Sequence, residues 1–482
     1  MLLAMLSSCA VGPDFVTPSA PAVSHYANGS DPIVTTSAAG TAQRFEPGAA
    51  VAADWWRLFN SEKLGTIVKE AIADNPGLEA AQASLRESQD SLRAGYGIFY
   101  PEIEADAGAT RQKYSPVQQG QLAPARIFNL FTLSGTINYM LDLWGGERRT
   151  VEGLAAQVDV QRATERATYL TLSANIVNTI IAKAAYGAEI EATRQLIDLQ
   201  KEQVRLGEVQ AQAGLVPYSN VLSLRAQLAS YEATIPQLEQ KQTQADDLLA
   251  TLAGRTPAEW RPPDISLADL TLPSDLPVSL PSDLVHQRPD ILVAEATAHA
   301  ASANIGVATA AMLPSITLSG SYGTQNTSMS NLFSANGNFW GIGANLTAPL
   351  FEGGTLWFRR KAAIDNYQQT MALYRQTVLG AFAQVADTLR GLEHDAMILQ
   401  AQDEALRDAE EALHLVQANY EAGLARYLDV LNADAQYHQA KINELEAITV
   451  RYQDTVALFT ALGGGWWNAE KPAASAGDRQ DD

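Results

Sequence analysis

The chain repeats itself, and that constrains its fold more than any other property. Residues 213–254 and 422–463 align without a gap at an offset of 209 positions. Both segments open on Ala-Gly-Leu (Ala213-Gly214-Leu215, Ala422-Gly423-Leu424), continue to a tyrosine (Tyr218, Tyr427) and a Val-Leu pair (Val221-Leu222, Val430-Leu431), and close on Gly254 and Gly463. Pro76–Pro101 matches Pro289–Pro314 at equal length and an offset of 213, and Leu143-Trp144-Gly145-Gly146 corresponds to Leu350-Phe351-Glu352-Gly353-Gly354. Offsets that drift by only a few residues place the length differences in loops. Each half is therefore one structural unit, far longer than the roughly 20–50-residue repeats of solenoids.

Within each half the hydrophobic period changes. Leu64, Ile67, Val68, Ala71 and Ile72 keep a helical spacing, ended by Asn75-Pro76 because proline disfavours helical geometry in the residue before it. A second helix is expected from Pro76 to about Phe99. After Pro101 the period becomes two: Ile103, Ala105, Ala107 and Ala109 alternate with Glu102, Glu104, Asp106 and Gly108, and Phe131, Leu133, Gly135, Ile137, Tyr139 and Leu141 with small polar residues. The second half repeats this at Ile316, Leu318, Gly320 and Tyr322, and at Trp340, Ile342, Ala344 and Leu346. These are four strands, each about ten residues, which is the length a tilted strand needs to cross a bilayer. A soluble sandwich with one wet face would show the same alternation. Four strands cannot close a barrel, and open edges are not viable in lipid, so a membrane reading requires several copies; three would supply twelve strands, an even number within the usual range.

The remainder of each half is long helix. The intervals Gly145–Gly214 and Gly354–Gly423 are equal and contain no proline. At about 1.5 Å per residue, each such helix is on the order of 100 Å long. After the Ala-Gly-Leu turn a partner helix returns, to Ala253 in one half and Leu462 in the other. The apolar positions are modest and Ala-rich (Leu154, Ala155, Val158, Val160, Ala163, Ala167), which suits helices packed sideways with other faces wet. No run reaches 18 apolar residues, so these helices belong to an aqueous compartment.

At the N-terminus, Leu6-Ser7-Ser8-Cys9 has the form of a lipobox, and Cys9 is the only cysteine. Disulfides within the chain and cysteine-rich metal sites are excluded. The alternative, a buried thiol, is disfavoured because a Pro-, Ala- and Ser-rich stretch follows. Acyl chains contribute about 0.8 kcal/mol per buried CH₂, so a multiply acylated Cys9 would hold the chain on a bilayer. Ala10, a non-acidic residue, favours export to the outer membrane. Residues 1–8 read as the remnant of a signal peptide whose basic n-region, and hence the true translation start, lies upstream. Residues 9–50 read as a lipidated extended tether, and residues 466–482, after Gly463-Gly464-Gly465, as a flexible tail.

The formal net charge of −21 argues against nucleic acid as the partner. His25, His286, His299, His394, His414 and His438 show no metal spacing, no phosphate-binding glycine loop is present, and the methionines are dispersed. Neither a catalytic constellation nor a metal or cofactor site is expected, apart from covalent lipid on Cys9.

Several separate motifs resemble one family. Asp54-Trp55-Trp56 with Asn75-Pro76, Arg288-Pro289-Asp290 with Ala294-Glu295, Ile305-Gly306 with Leu313-Pro314, and Pro349-Leu350-Phe351-Glu352-Gly353-Gly354 look like the TolC/OprM-type outer membrane efflux proteins. Cys9-Ala10-Val11-Gly12-Pro13-Asp14-Phe15 is similar to the mature N-terminus of the lipid-anchored, NodT-like branch. The resemblance implies a mixed α and β membrane protein: a homotrimer whose four strands per chain build a 12-stranded transmembrane β-barrel, continued by a periplasmic α-barrel of long antiparallel hairpins. It further implies a periplasmic adaptor and an inner-membrane RND transporter as partners, and a passive, non-enzymatic exit duct for small molecules. Exit from a one-step protein secretion system, or a non-channel scaffold lipoprotein, are the alternatives. The expected organisation is a first repeat over 51–265 (β-hairpin about 102–142, helical hairpin about 146–253) and a second over 266–465 (about 315–350 and 354–462).

The candidate site is the closed periplasmic end at the hairpin tips. The resemblance places a constricting leucine at Leu428, but Asn432 stands where an aspartate is expected. Asp429 and Asp434 are near enough to supply carboxylates instead. Tyr218, Asn220 and Arg225 occupy the corresponding tip of the first half, where an arginine or tyrosine could tie neighbouring hairpins shut.

Overall fold

The computed structural model describes residues 10–120 and 124–468. Cys9 and residues 1–8 and 469–482 lie outside the described residues. In chain order the elements are β1 (Arg44–Pro47), α1 (Glu62–Asp74), α2 (Pro76–Gly95), β2 (Glu102–Tyr114), β3 (Arg126–Leu141), α3 (Gly146–Gln212) and α4 (Tyr218–Leu252). They continue as β4 (Asp275–Val278), α5 (Pro281–Gln287), α6 (Pro289–Ala310), β5 (Ser315–Asn326), β6 (Asn338–Thr347), α7 (Thr355–Glu421) and α8 (Tyr427–Ala461). The duplication holds residue for residue in the hairpins: α3 and α7 each have 67 residues, α4 and α8 each 35. α4 runs through Pro236; Leu445 stands at the matching place in α8.

Two compact units share the chain, one over residues 10–18, 85–161 and 294–374, the other over 19–84, 162–293 and 375–468. The first holds the four-stranded antiparallel sheet, in the order β2-β3-β5-β6. It also corrects the expected tether, because residues 10–17 are extended but pinned. Arg149, buried on α3, pairs with Asp14 at 2.6 Å and Glu152 at 2.7 Å and donates to the Val11 carbonyl at 3.3 Å. His299 of α6 meets Glu152 at 2.9 Å and stacks on Phe15, with ring centroids 4.6 Å apart. Gly12 lies so close to Gly306 that a Cβ on it would sit 2.5 Å from the Gly306 Cα.

The second unit carries the hairpin ends and a belt around Trp55-Trp56. Trp55 stacks on Phe459 at 5.2 Å and Phe59 on Tyr452 at 6.0 Å. Asn75 ends α1 in extended geometry and accepts the Leu78 N–H at 3.0 Å, capping α2. Arg288 donates to the Ala461 carbonyl at 2.7 Å, satisfying the end of α8, while its Nε and Nη2 grip Asp290. Here too the tether expectation is corrected. β1 pairs in parallel with β4, and residues 35–43 wrap a fully buried Arg451, which donates to Gln43, Thr35 and the carbonyls of Ala38 and Thr41. A polar stretch becomes ordered because it supplies the acceptors this guanidinium needs in the interior. The start of the expected tail is likewise docked: Arg166 lies 3.6 Å over the Trp466 ring, and the Trp466 indole donates to the Gln287 carbonyl at 2.8 Å.

Among the described residues, α6 is long and apolar enough to cross a membrane by length and composition. Ile291, Ala298, Ala301, Ala303 and Ile305 are nevertheless buried in the protein, so its apolarity serves packing.

Candidate functional site

The sheet register sorts the alternating residues onto two faces. Ile137 stands opposite Ile103 on one side and Gly320 on the other, and Gly320 opposite Ile342. Gly135 stands opposite Ala105 and Tyr322, and Tyr322 opposite Trp340. All the apolar positions picked from the alternation thus share one face, and it is bare: Trp340 is 74% and Ile342 85% exposed. The other face carries Glu102, Glu104 and Asp106 of β2 beside Ser134, Thr136, Asn138, Ser319 and Ser321. β2 and β6 each pair on one side only. A continuous exposed apolar face this large marks a surface meant for lipid or a partner.

The two hairpin tips are built alike. Gly214 (φ 73°) and Gly423 (φ 75°) take the left-handed conformation that ends each long helix. The next residues, Leu215 and Leu424, donate back to the carbonyls of Gln210 and Asn419 at 2.9 and 2.8 Å. Beyond the turn the tips diverge. Asp429 accepts the Arg426 N–H at 2.9 Å and so caps α8. Leu428, 62% exposed, lies with exposed Asp429 and Asn432 on one side of α8, while Val430, Ala433 and Asp434 are buried on the other.

That buried side forms a seam with the first hairpin. The Tyr420 hydroxyl donates to Gln210 at 2.6 Å and the Tyr427 hydroxyl to Gln203 at 3.4 Å. Tyr231 meets His438 edge to face at 5.1 Å, over Leu196, Ile197 and Tyr437. Asp434 is 1% exposed, and among the described residues its Oδ1 has no hydrogen-bond partner. Burial alone pushes the Asp434 carboxyl up to about 6 and also lowers the His438 imidazole. Tyr427 is raised by burial and by the neighbouring Tyr420 and Asp434.

The family model described as outer membrane efflux protein matches residues 67–255 and 280–464. The chain belongs to that family. The pyoverdine export outer membrane protein OpmQ of Pseudomonas aeruginosa is 30% identical over 86% of this chain and 87% of its own length. The cation efflux system protein CusC of Escherichia coli is 26% identical over 96% of both. Among solved structures, the outer-membrane channel OprN superposes with a TM-score of 0.85 at 25% identity, covering 95% of this chain and all of that one. VceC of Vibrio cholerae gives 0.80 at 28%, over 86% of this chain and all of that one. The protein is an outer membrane efflux channel component, and it shares the mostly helical, partly stranded fold of these channels.

Within this family member the tip residues separate into two groups. Leu428, Asp429 and Asn432 remain exposed together, with Asp429 engaged as a cap. Asp434 does not join them; it is buried in the seam, because it falls on the opposite side of α8. Arg225 is tied to Glu208 of its own hairpin, and Tyr218 is exposed, whereas Asn220 is half-buried with its N–H on the Pro217 carbonyl. Sequence reasoning missed Tyr231, Tyr420 and Tyr427 as the seam's aromatic fill. Tyr427 stood in the motif that revealed the duplication; the signal passed over was Tyr231 against Ala440 at the matching position.

Proposed function

We propose that three copies close their sheets into one 12-stranded barrel, apolar face to lipid, and that the hairpins continue as a helical duct through the periplasm. The single observation that carries this is the four-stranded sheet with a bare apolar face and two unpaired edges, since unpaired backbone is not tolerated in hydrocarbon. The duct passively conducts small molecules delivered by an inner-membrane transporter through a periplasmic adaptor, without catalysis and without a cofactor. The names of OpmQ and CusC, pyoverdine export and cation efflux, favour small cargo. Acylated Cys9 anchors each chain, and the Arg149–Asp14 clip fixes where the lipidated end leaves the fold. Leu428, Asp429 and Asn432 line the periplasmic aperture. The complex extracted in detergent from the outer membrane should have three chain masses; a monomer would overturn the barrel. Replacing Leu428 and Asp429 by alanine should raise the conductance of the reconstituted channel, and unchanged conductance would remove them from the aperture.

A further inference from the structure

The 209-residue translation that relates the hairpins also relates their surfaces, and it exposes an asymmetry. Within the chain, Tyr427 of α8 reaches Gln203 of α3 and His438 meets Tyr231 of α4, which packs on Leu196 of α3; Asp434 and Gln200 are buried beside them, Gln200 donating to the Leu224 carbonyl. Moved back by one repeat, the α8 positions become Tyr218, Arg225 and Ala229 of α4, and all three are exposed, Tyr218 at 58%. Moved forward, the α3 positions become Ala405, Ala409 and Ala412 of α7: Ala405 and Ala412 are exposed and Ala409 is half-buried, where Leu196 and Gln200 are buried and Gln203 is half-buried. One chain therefore carries one covered seam and the two separated halves of a second.

The two uncovered halves match in chemistry. Arg225 is the cation on the α4 half. The α7 half is bordered by Asp408 and Glu411, each next to a seam alanine and each exposed; the first repeat has Leu199 where the second has Asp408. The halves differ from one another, so their pairing runs head to tail, which closes into a ring in the trimeric reading.

We infer that the α4 surface Tyr218–Arg225–Ala229 of one copy docks on the α7 surface Ala405–Ala409–Ala412 of the next, with Arg225 reaching the carboxylates of Asp408 and Glu411. The inference rests on the trimeric reading. The seam between copies then differs in kind from the seam within a copy: Tyr218 keeps the place of Tyr427, but alanines stand for Tyr231 and His438, and Arg225 with its carboxylates stands for the buried Asp434. Exposed charge pairs are weak and salt-screened, which makes the chain-to-chain seam the more easily parted of the two.

The test uses the full-length protein in detergent, a short bis-maleimide, and three variants: Y218C/A412C, each single-cysteine control, and Y427C/Q203C, whose equivalent contact lies within one chain. Y218C/A412C should give covalent dimers and trimers, the controls none, and Y427C/Q203C a link without gain in mass. Adding R225E should lower the cross-linked yield several-fold, and adding D408R and E411R to that should restore it, which damage confined to the Arg225–Glu208 hairpin would not allow. Trimer mass without cross-linked ladder would overturn this surface while leaving the trimer standing. Monomer mass throughout would overturn the trimer itself, and the surface with it. An unchanged yield in R225E would remove the charge pair.

Discussion

Asp434 gives the sharpest quantitative test of the tip. Its carboxyl is buried between hairpins, one oxygen has no partner among the described residues, and burial is the whole cause of its rise from 3.8 to about 6. A group raised on packing favours the packed seam when protonated: that contribution is fully present below pH 3.8 and is lost as the pH rises through about 6. At 1.36 kcal/mol per pKa unit, the loss is about 3 kcal/mol, or roughly a hundredfold in the equilibrium between packed and parted seam. His438 acts in the opposite sense. Burial lowers it from 6.5, so it supports the packed seam above that pH and withdraws support as the pH falls. The neighbouring phenols of Tyr231 and Tyr427 are raised by burial and so stay neutral across this range. Comparing wild type with Asp434→Asn at each pH cancels His438 and the phenols. The absolute effect of asparagine depends on how its amide is satisfied, a matter of about 1–3 kcal/mol, but the pH dependence of the difference does not. Amide hydrogen exchange over residues 430–438, corrected for intrinsic rates, reads the local opening. Between pH 4 and pH 7.5 the protection of the variant relative to wild type should grow by about two orders of magnitude. A ratio constant over that range would refute the reasoning, because it would mean that Asp434 reaches water or a cation in the packed state.

Three further outcomes follow from the same geometry. Arg149→Ala removes the buried cation shared by exposed Asp14 and half-buried Glu152 and leaves Glu152 to His299 alone; residues 10–17 should be cut by limited proteolysis at protease levels that spare wild type. Arg451→Met strips four acceptors of residues 35–43 of their donor and should lower the melting temperature while specifically increasing exchange in β1. Ile342→Arg places a charge on the bare apolar face at about 2–4 kcal/mol and should reduce the amount of detergent-resistant complex in the outer membrane, whereas Gly343→Ser, on the opposite face, should leave it unchanged.

What the sequence disclosed depended on whether the information was periodic. The sheet was legible because alternation is a property of consecutive residues: Ile103, Ile137, Gly320 and Ile342 could be assigned to one face before any pairing was known, and the register then joined them in one row. The hairpins were legible because the repeat is gapless, so one Ala-Gly-Leu turn predicted the other. Residues 10–50 were not, since nothing periodic marks a polar stretch whose order comes from single distant partners, Arg149 for Asp14 and Arg451 for Thr35 and Gln43. The tip failed for a related reason. Leu428, Asp429 and Asp434 were grouped by nearness in sequence, but on a helix a separation of five or six residues turns a side chain well away from its companion, and Asp434 went to the seam.

Two hairpins identical in length need not be identical in sequence, and where they differ shows which contact each face must make. At the pair 231/440 the chain keeps tyrosine where the cover comes from its own second hairpin and alanine at the translated place; at 225/434 it keeps an exposed arginine and a buried aspartate. An aspartate without a cation is tolerable in a seam whose two sides are covalently joined, because high effective concentration holds the packing together against the desolvation cost. A seam between separate copies has no such help during assembly and gains from a charge that steers encounter. The divergence of the repeats at the tip is thus what the proposed assembly of three copies would require, one kind of contact made in folding and another made in association.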